Sequence, residues 1–233
     1  MIRVTADEPL PESLRGGVIA LGNFDGFHLG HQAVVNRATT LGFHQRRPVI
    51  VATFDPHPVQ FFKPDVPPFR LTTLDQREAL FAHAGADAML VFHFDKALAT
   101  TSAEDFVSDI LAKRLGVAAV VTGTDFTFGR GRKGNAEMMR ELGKAHGIDT
   151  EAVPAVILDG EPVSSSRVRN ALADADPGTA THLLTRPFAV EAVVQRGDGR
   201  GRGCRVKPTA AESVPTAVGP VMSASDGLLP RQA

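Results

Sequence analysis

The chain has 233 residues, 43% of them hydrophobic, and a formal net charge of −1 at neutral pH. That is enough for one sizeable domain with a real core, and the near-zero charge argues against a dedicated nucleic-acid binder, which would be basic as a domain. No apolar run approaches a bilayer crossing, and the opening MIRVTADEPLPESLRGG is polar, broken by proline and without the apolar core of an export signal. Cys204 is the single cysteine, which rules out an internal disulfide framework and makes the cytoplasm the expected compartment.

In chain order, the first element is a strand, VIALGNF (18–24), followed by a helix over 29–41. PVIVATF (48–54) is a second strand, and FDPHPVQFFKP (54–64), with three prolines and three phenylalanines in no period, is a loop. LTTLDQREALF (71–81) opens a helix with Thr73 and Gln76 at capping-box spacing. After the strand DAMLVFHF (87–94), ATTSAEDFVSDILAKRL (99–115) repeats that spacing with Thr101 and Glu104. Then come the strand AAVVTG (118–123), a helix over 135–146, the strand EAVPAVIL (151–158) and helices over 166–174 and 178–184. The strand runs are β-branched and nearly continuous, the pattern of strands buried on both faces. Strand and helix in alternation predict an α/β fold: a Rossmann-like parallel sheet flanked by helices, with ligands at the carboxyl ends of the strands.

The stretch GNFDGFHLGHQ (22–32) falls at such an end. Gly26 permits a tight turn, and His28 and His31 share one face of the first turn of the next helix. Free backbone N–H groups and the helix dipole attract phosphate there, and two imidazoles add donors aimed at the same anion. A surface histidine pair and a zinc pair are the competing readings; no cysteine cluster or local His/Glu set supplies the further ligands zinc needs. SSSRVR (164–169) makes an N-cap for the helix it opens, yet Arg167 and Arg169 at a helix start oppose the dipole unless an anion meets them. GRGRKG (129–134) formally spells a dinucleotide fingerprint, but its glycines do not directly follow a strand and basic residues fill the gaps, so it reads as a mobile basic loop or a solvated turn. With no Trp or Tyr in the chain, any aromatic wall must come from phenylalanines: Phe54, Phe61, Phe62 and Phe128 are candidates. His44, His83, His93, His146, His182 and Cys204 lack supporting neighbours and are assigned no chemistry.

GNFDGFHLGH, TFDPHP (53–58), RLTT (70–73), TGTDFTFGRGRKGN (122–135) and SSSRVR together resemble, in order and spacing, the FMN adenylyltransferase module of bacterial bifunctional riboflavin kinase/FAD synthetases. That module belongs to the HxGH nucleotidyltransferase superfamily, whose signature HLGH (28–31) carries. The resemblance covers roughly residues 15–187. It implies transfer of AMP from ATP to FMN with Mg²⁺, giving FAD and pyrophosphate; metal ligands stay unassigned, and no nucleic-acid, membrane or obligate protein partner is implied. It places His28 and His31 on the nucleotide phosphates, with Gly22, Asn23, Phe24 and Gly30 around them. Ser164, Ser165 and Arg169 match an element that closes over the β- and γ-phosphates, and Asp125 a position near the adenosine and metal end. The flavin is expected near Phe54, Pro56, His57 and Pro58, with Phe62 and Phe128. A same-fold enzyme with another phosphorylated acceptor, or a flavin- or ATP-binding protein without turnover, are the alternatives.

In the bifunctional enzymes a riboflavin kinase barrel follows. RPFAVEAVVQRGDGRGR (186–202) is similar to its beginning, with VEAVVQ a candidate strand. Then RVKPTAAE (205–212) has Val206 and Lys207 where Gly and Phe are expected, and Ala211 where the nucleotide- and metal-binding Asn belongs. The expectation is therefore a domain over 1–187 and a partly disordered, irregular remnant of a β-barrel over 188–233, without kinase activity.

Overall fold

The computed structural model describes residues 1–65 and 70–192 in full, and residues 222–223 by their backbone. Strands β1 (Ile2–Thr5), β2 (Val18–Leu21), β3 (Val49–Asp55), β4 (Ala88–His93), β5 (Ala119–Gly123) and β6 (Asp149–Val153) form one sheet in the order β1-β4-β3-β2-β5-β6. Every neighbouring pair is parallel. From β2 the chain steps outward through β3 and β4, then returns to β5 on the other side of β2, so the topological switch lies between β2 and β5.

All four residues of β2 are buried. Ile19 and Leu21 enter the core with Leu111 and Phe92, whereas Val18 and Ala20 enter the core with Val35 and Phe81, as the two-residue side-chain period requires. The helices covering these faces are α1 (Leu29–Gln45), α2 (Pro58–Phe62), α3 (Leu74–His83), α4 (Lys96–Thr100), α5 (Ala103–Asp105), α6 (Ala136–Ala145), α7 (Ser165–Ala173) and α8 (Pro177–Leu184); α5 runs straight into π-helical turns over Phe106–Leu115.

Five points depart from expectation. β1 lies where the sequence suggested no element, because IRVT is an edge strand with an almost wholly exposed face; its Arg3 donates to Glu78 and Asp75, each at 2.6 Å. β2 stops at Leu21, since Phe24 at φ 50° turns the chain out of the sheet. α2 forms inside the expected loop. Thr101 does not cap the helix after it: the preceding α4 takes the Thr101 hydroxyl on the carbonyl of Ala97 at 2.9 Å, and Ser102 caps instead, accepting from the Asp105 N–H at 2.9 Å. Finally, EAVPAVIL is two elements: β6 ends before Pro154, and β7 (Ile157–Leu158) pairs antiparallel with β8 (Glu161–Pro162). The capping box at Thr73 and Gln76 is present with both hydrogen bonds. β9 (Ala189–Val190) pairs with β10 (Met222–Ser223), and the rest of the barrel-like segment lies outside the described residues.

Candidate functional site

Between β2 and α1 the chain turns through three left-handed residues, Phe24 (φ 50°), Gly26 (φ 83°) and Phe27 (φ 47°). Such conformations are costly for phenylalanine and persist where the surroundings over-determine them. Here both rings are buried and meet Phe81 edge-on, with centroids 5.8 and 5.3 Å away. Gly26 is required twice over, by its φ and because a Cβ there would stand 2.7 Å from Leu71 Cδ1.

This turn sets His28 as the N-cap of α1, its Nδ1 accepting from the His31 N–H at 3.4 Å. The two imidazoles stack with centroids 3.6 Å apart and planes 21° apart. Gly30 lies against the pair: a Cβ would sit 3.2 Å from the His28 ring. Burial pushes His28 down to about 4, with Asp25 opposing and Arg169 reinforcing. His31 is pushed well below its ordinary value by burial first, then by His28, Arg77 and Arg169. Both rings are therefore neutral donors at physiological pH. His31 Nδ1 and Asn23 Oδ1 are buried without a hydrogen-bond partner in the protein, two polar atoms that a bound ligand would satisfy.

Beneath the histidines lies a buried charged cluster that the sequence reading missed. The Asp25 carboxylate, 1% exposed, accepts from the backbone N–H groups of Leu71 and Thr72 at 3.0 Å each, from the Thr72 hydroxyl at 3.1 Å, from Arg77 Nη2 at 3.2 Å and from Arg169 Nη2 at 2.6 Å. Burial alone would raise its pKa, but Arg77, the Leu71 N–H, Arg169 and the Thr72 N–H outweigh it and hold the carboxyl below its ordinary range. Arg77, as buried as Asp25, also donates to Thr72 and to the Thr53 hydroxyl at 3.0 Å; Thr53 in turn donates to the Asn23 carbonyl at 2.6 Å. The available signal was Arg77 itself, four residues before Phe81 on the buried face of α3.

α7 closes the site from the other side. Ser164 caps it, accepting from the Arg167 N–H at 3.2 Å, and the Ser165 hydroxyl donates to the Asp25 carbonyl at 2.9 Å. The two arginines diverge: Arg167 donates to the carbonyls of Leu158 and Glu161 at 3.0 Å, while Arg169 turns to Asp25.

At the end of β3, Asp55 pairs with Arg70 at 2.6 Å and His57 caps α2, accepting from the Val59 N–H at 3.2 Å. Pro56, joined to Asp55 by a cis peptide, and Pro58 flank His57. Burial pushes His57 down to about 4, Asp25 opposes, and Arg169, Arg77 and Arg70 add to the fall. Arg169 is thus felt by His28, His31 and His57 alike. Of the phenylalanines, Phe62 is 64% exposed and meets Phe61 and Phe94 edge-on at 5.2 and 5.8 Å. Phe54 stacks on Phe92 at 5.2 Å and Phe128 lies 5.5 Å from Phe106, both inside the core. Asp125 is exposed just past β5, across the switch point from Gly22. The basic loop is a 3-10 turn over Arg130–Arg132, closed by a Phe128–Gly134 bridge and tied by the Arg130 N–H to the Thr101 carbonyl at 2.7 Å.

The His-x-x-His helix start thus lies at the switch point of a parallel α/β sheet, the place where such folds bind ligands. The FAD synthetase family model matches residues 10–167, and the chain belongs to that family. It is 38% identical over 187 residues to the bifunctional riboflavin kinase/FMN adenylyltransferase of Escherichia coli K12, covering 80% of this chain and 60% of that protein. With its Pseudomonas fluorescens counterpart it shares 40% over 188 residues, 81% of this chain and 60% of that protein. The chain thus spans about 60% of the length of these relatives. Among solved structures it resembles one described as a macrolide-efflux protein from Streptococcus pneumoniae, with a TM-score of 0.76 and 26% identity, covering 87% of this chain and 66% of that one.

Proposed function

We propose that the chain transfers AMP from ATP to FMN, giving FAD and pyrophosphate. The observation that supports this best is the convergence of the stacked His28–His31 pair at the start of α1 with Arg169, whose charge reaches both histidines and also His57 in the TFDPHP segment. An oxygen of the FMN phosphate attacks the α-phosphorus of ATP; the new P–O bond forms as the bond to the α–β bridging oxygen breaks, and pyrophosphate leaves with that electron pair. A phosphate monoester is already largely dianionic at neutral pH, so no side chain has to remove a proton. What remains is alignment and dispersal of charge on the leaving group.

In this reading His28 and His31 donate to phosphate oxygens beside the α1 N-terminus, within the turn of Gly22, Asn23, Phe24 and Gly30. Arg169 with Ser164 and Ser165 takes the departing pyrophosphate, and Asp125 faces the adenosine end. Pro56, His57, Pro58 and the exposed Phe62 form the flavin side, with the Phe54 and Phe128 rings behind them. ATP enters as its Mg²⁺ complex.

The departures at Val206, Lys207 and Ala211 support the further reading that riboflavin is not phosphorylated. No helix among the described residues is long and apolar enough to cross a membrane, and a cytoplasmic location fits the demand for ATP. The test is to incubate the purified chain with Mg-ATP and either FMN or riboflavin and to separate the flavins by chromatography. FAD from FMN alone is expected. Untouched FMN would sink the reading, leaving another acceptor if ATP is still consumed and a binding protein if flavin or ATP is bound without turnover.

A further inference from the structure

We propose that Asp25 is a positioning residue for adenylyl transfer, acting through Arg169: it is the fixed anion that docks α7 and orients its arginine toward the phosphates. The inference rests on the functional reading above and deepens it.

Asp25 holds α7 at two points. Its backbone carbonyl accepts from the Ser165 hydroxyl at 2.9 Å and its carboxylate from Arg169 at 2.6 Å. Residues 165 and 169 are four apart in one helix and share a face, so a single residue of the nucleotide turn fixes both the height and the rotation of α7. The carboxylate oxygens divide the work. Oδ1 is occupied by buried donors, the N–H groups of Leu71 and Thr72, the Thr72 hydroxyl and Arg77 Nη2, and it ties the nucleotide turn to the RLTT loop and α3. Oδ2 also touches the Leu71 N–H, at 3.1 Å, and its shortest bond is to Arg169.

The two arginines differ in reach. The Arg77 side chain is 1% exposed and that of Arg169 24%. Arg77 therefore compensates the buried carboxylate, whereas Arg169 is the cation of the trio within reach of a ligand. A guanidinium anchored at Nη2 by a charged hydrogen bond is restricted in where it can point, which favours recognition of phosphate by its planar fork. Asp25 is a poor base for the reaction, being ionised with its lone pairs engaged, and a bare carboxylate would repel a triphosphate. With Arg77 and Arg169 against it the trio carries a net charge of about +1, presented from a defined place.

The test is a double-mutant cycle with Asp25→Asn, Arg169→Met and both together. It is read as kcat/KM for ATP per folded molecule, with thermal unfolding and calorimetric titration of inorganic tripolyphosphate run in parallel. Asp25→Asn is expected to lower kcat/KM by about 10²-fold, the scale of a misplaced catalytic group. In the Arg169→Met background the same change is expected to matter less than about threefold, because the residue it acts through is gone. Tripolyphosphate affinity should follow the same non-additive pattern. Losses that multiply, or a lower Tm with kcat/KM per folded molecule kept, would overturn the proposal. If Asp25→Asn does not fold, Asp25→Glu carries the test: it keeps the buried charge but moves its anchor, so kcat/KM per folded molecule should fall, and a preserved rate per folded molecule would refute the inference. FAD formation by the wild-type chain with multiplicative losses sinks this inference alone. A wild-type chain that neither forms FAD nor binds tripolyphosphate sinks the functional reading and this inference together.

Discussion

Arg186 Nη2 donates to the Gly26 carbonyl at 2.8 Å, while its Nη1 reaches the carbonyls of Phe27 and Leu184 at 3.3 and 3.1 Å. A residue just past α8 thereby fastens the left-handed turn that aims His28. Hydrogen bonds from a charged donor are worth more than neutral ones, and partly buried carbonyls left unpaired carry a cost. Arg186→Met should therefore lower unfolding stability by about 2 kcal/mol and raise the KM for ATP. Urea unfolding and initial rates check both, and unchanged values in each would mean that the turn holds itself.

His31→Ala should separate chemistry from folding. The ring stacks on His28 and meets Phe24 edge-on at 5.2 Å, so some stability will be lost. Loss of a donor to developing phosphate charge should cost on the order of 10²-fold or more in kcat. Equal proportional losses in rate and in folded fraction would identify a structural histidine instead.

Phe62 gives a test on the flavin side. Exposed and only edge-packed, it should tolerate Phe62→Ala within about 0.5 kcal/mol of stability. An isoalloxazine resting on it would show the loss as a several-fold higher KM for FMN at unchanged KM for ATP. Equal shifts in both constants would remove Phe62 from the flavin surface.

Riboflavin supplied with Mg-ATP should give no FMN, since Ala211 lacks the side-chain donor and acceptor expected of the kinase Asn. ATP-dependent FMN formation, read by chromatography, would refute this outright.

What was legible in the sequence follows from where each signal resides. β2 to β5 bury both faces, so their apolar runs are continuous and can be read locally. β1 is held by one neighbour's ladder and by Arg3, and of IRVT only Val4 packs against the core, too little to betray a strand. The helix start at Ser102 was misread by one residue because α4, invisible as a period, claims Thr101. His28, Ser165 and Arg169 were readable as motif positions. The Asp25–Arg77 pair was not: its members lie 52 residues apart, and only folding makes one charge explain the other. A buried arginine one turn before Phe81 was the sole local hint.

Acid should destabilise the domain through its buried histidines. His28 and His57 have folded pKa values of about 4, below the unfolded value of about 6.5, and His31 is likewise pushed well below its ordinary value. As pH falls below about 6.5 the unfolded chain takes up protons that the folded one refuses, so this stability is full above that pH and drains away until about 4. For His28, which is 5% exposed, the displacement corresponds to about 3 kcal/mol. Asp25 acts in the opposite window: held below its ordinary range, it contributes fully above about 3.8 and is lost only as pH falls through its lowered folded value. Urea unfolding between pH 7 and 4.5 should therefore show stability falling steeply, with a shallower slope in His28→Asn. Because both histidines are already neutral, kcat/KM should show no imidazole ionisation between pH 6 and 8. A rate that titrates near 6.5, or a stability flat from pH 7 to 5, would mean that these rings are solvated and charge freely.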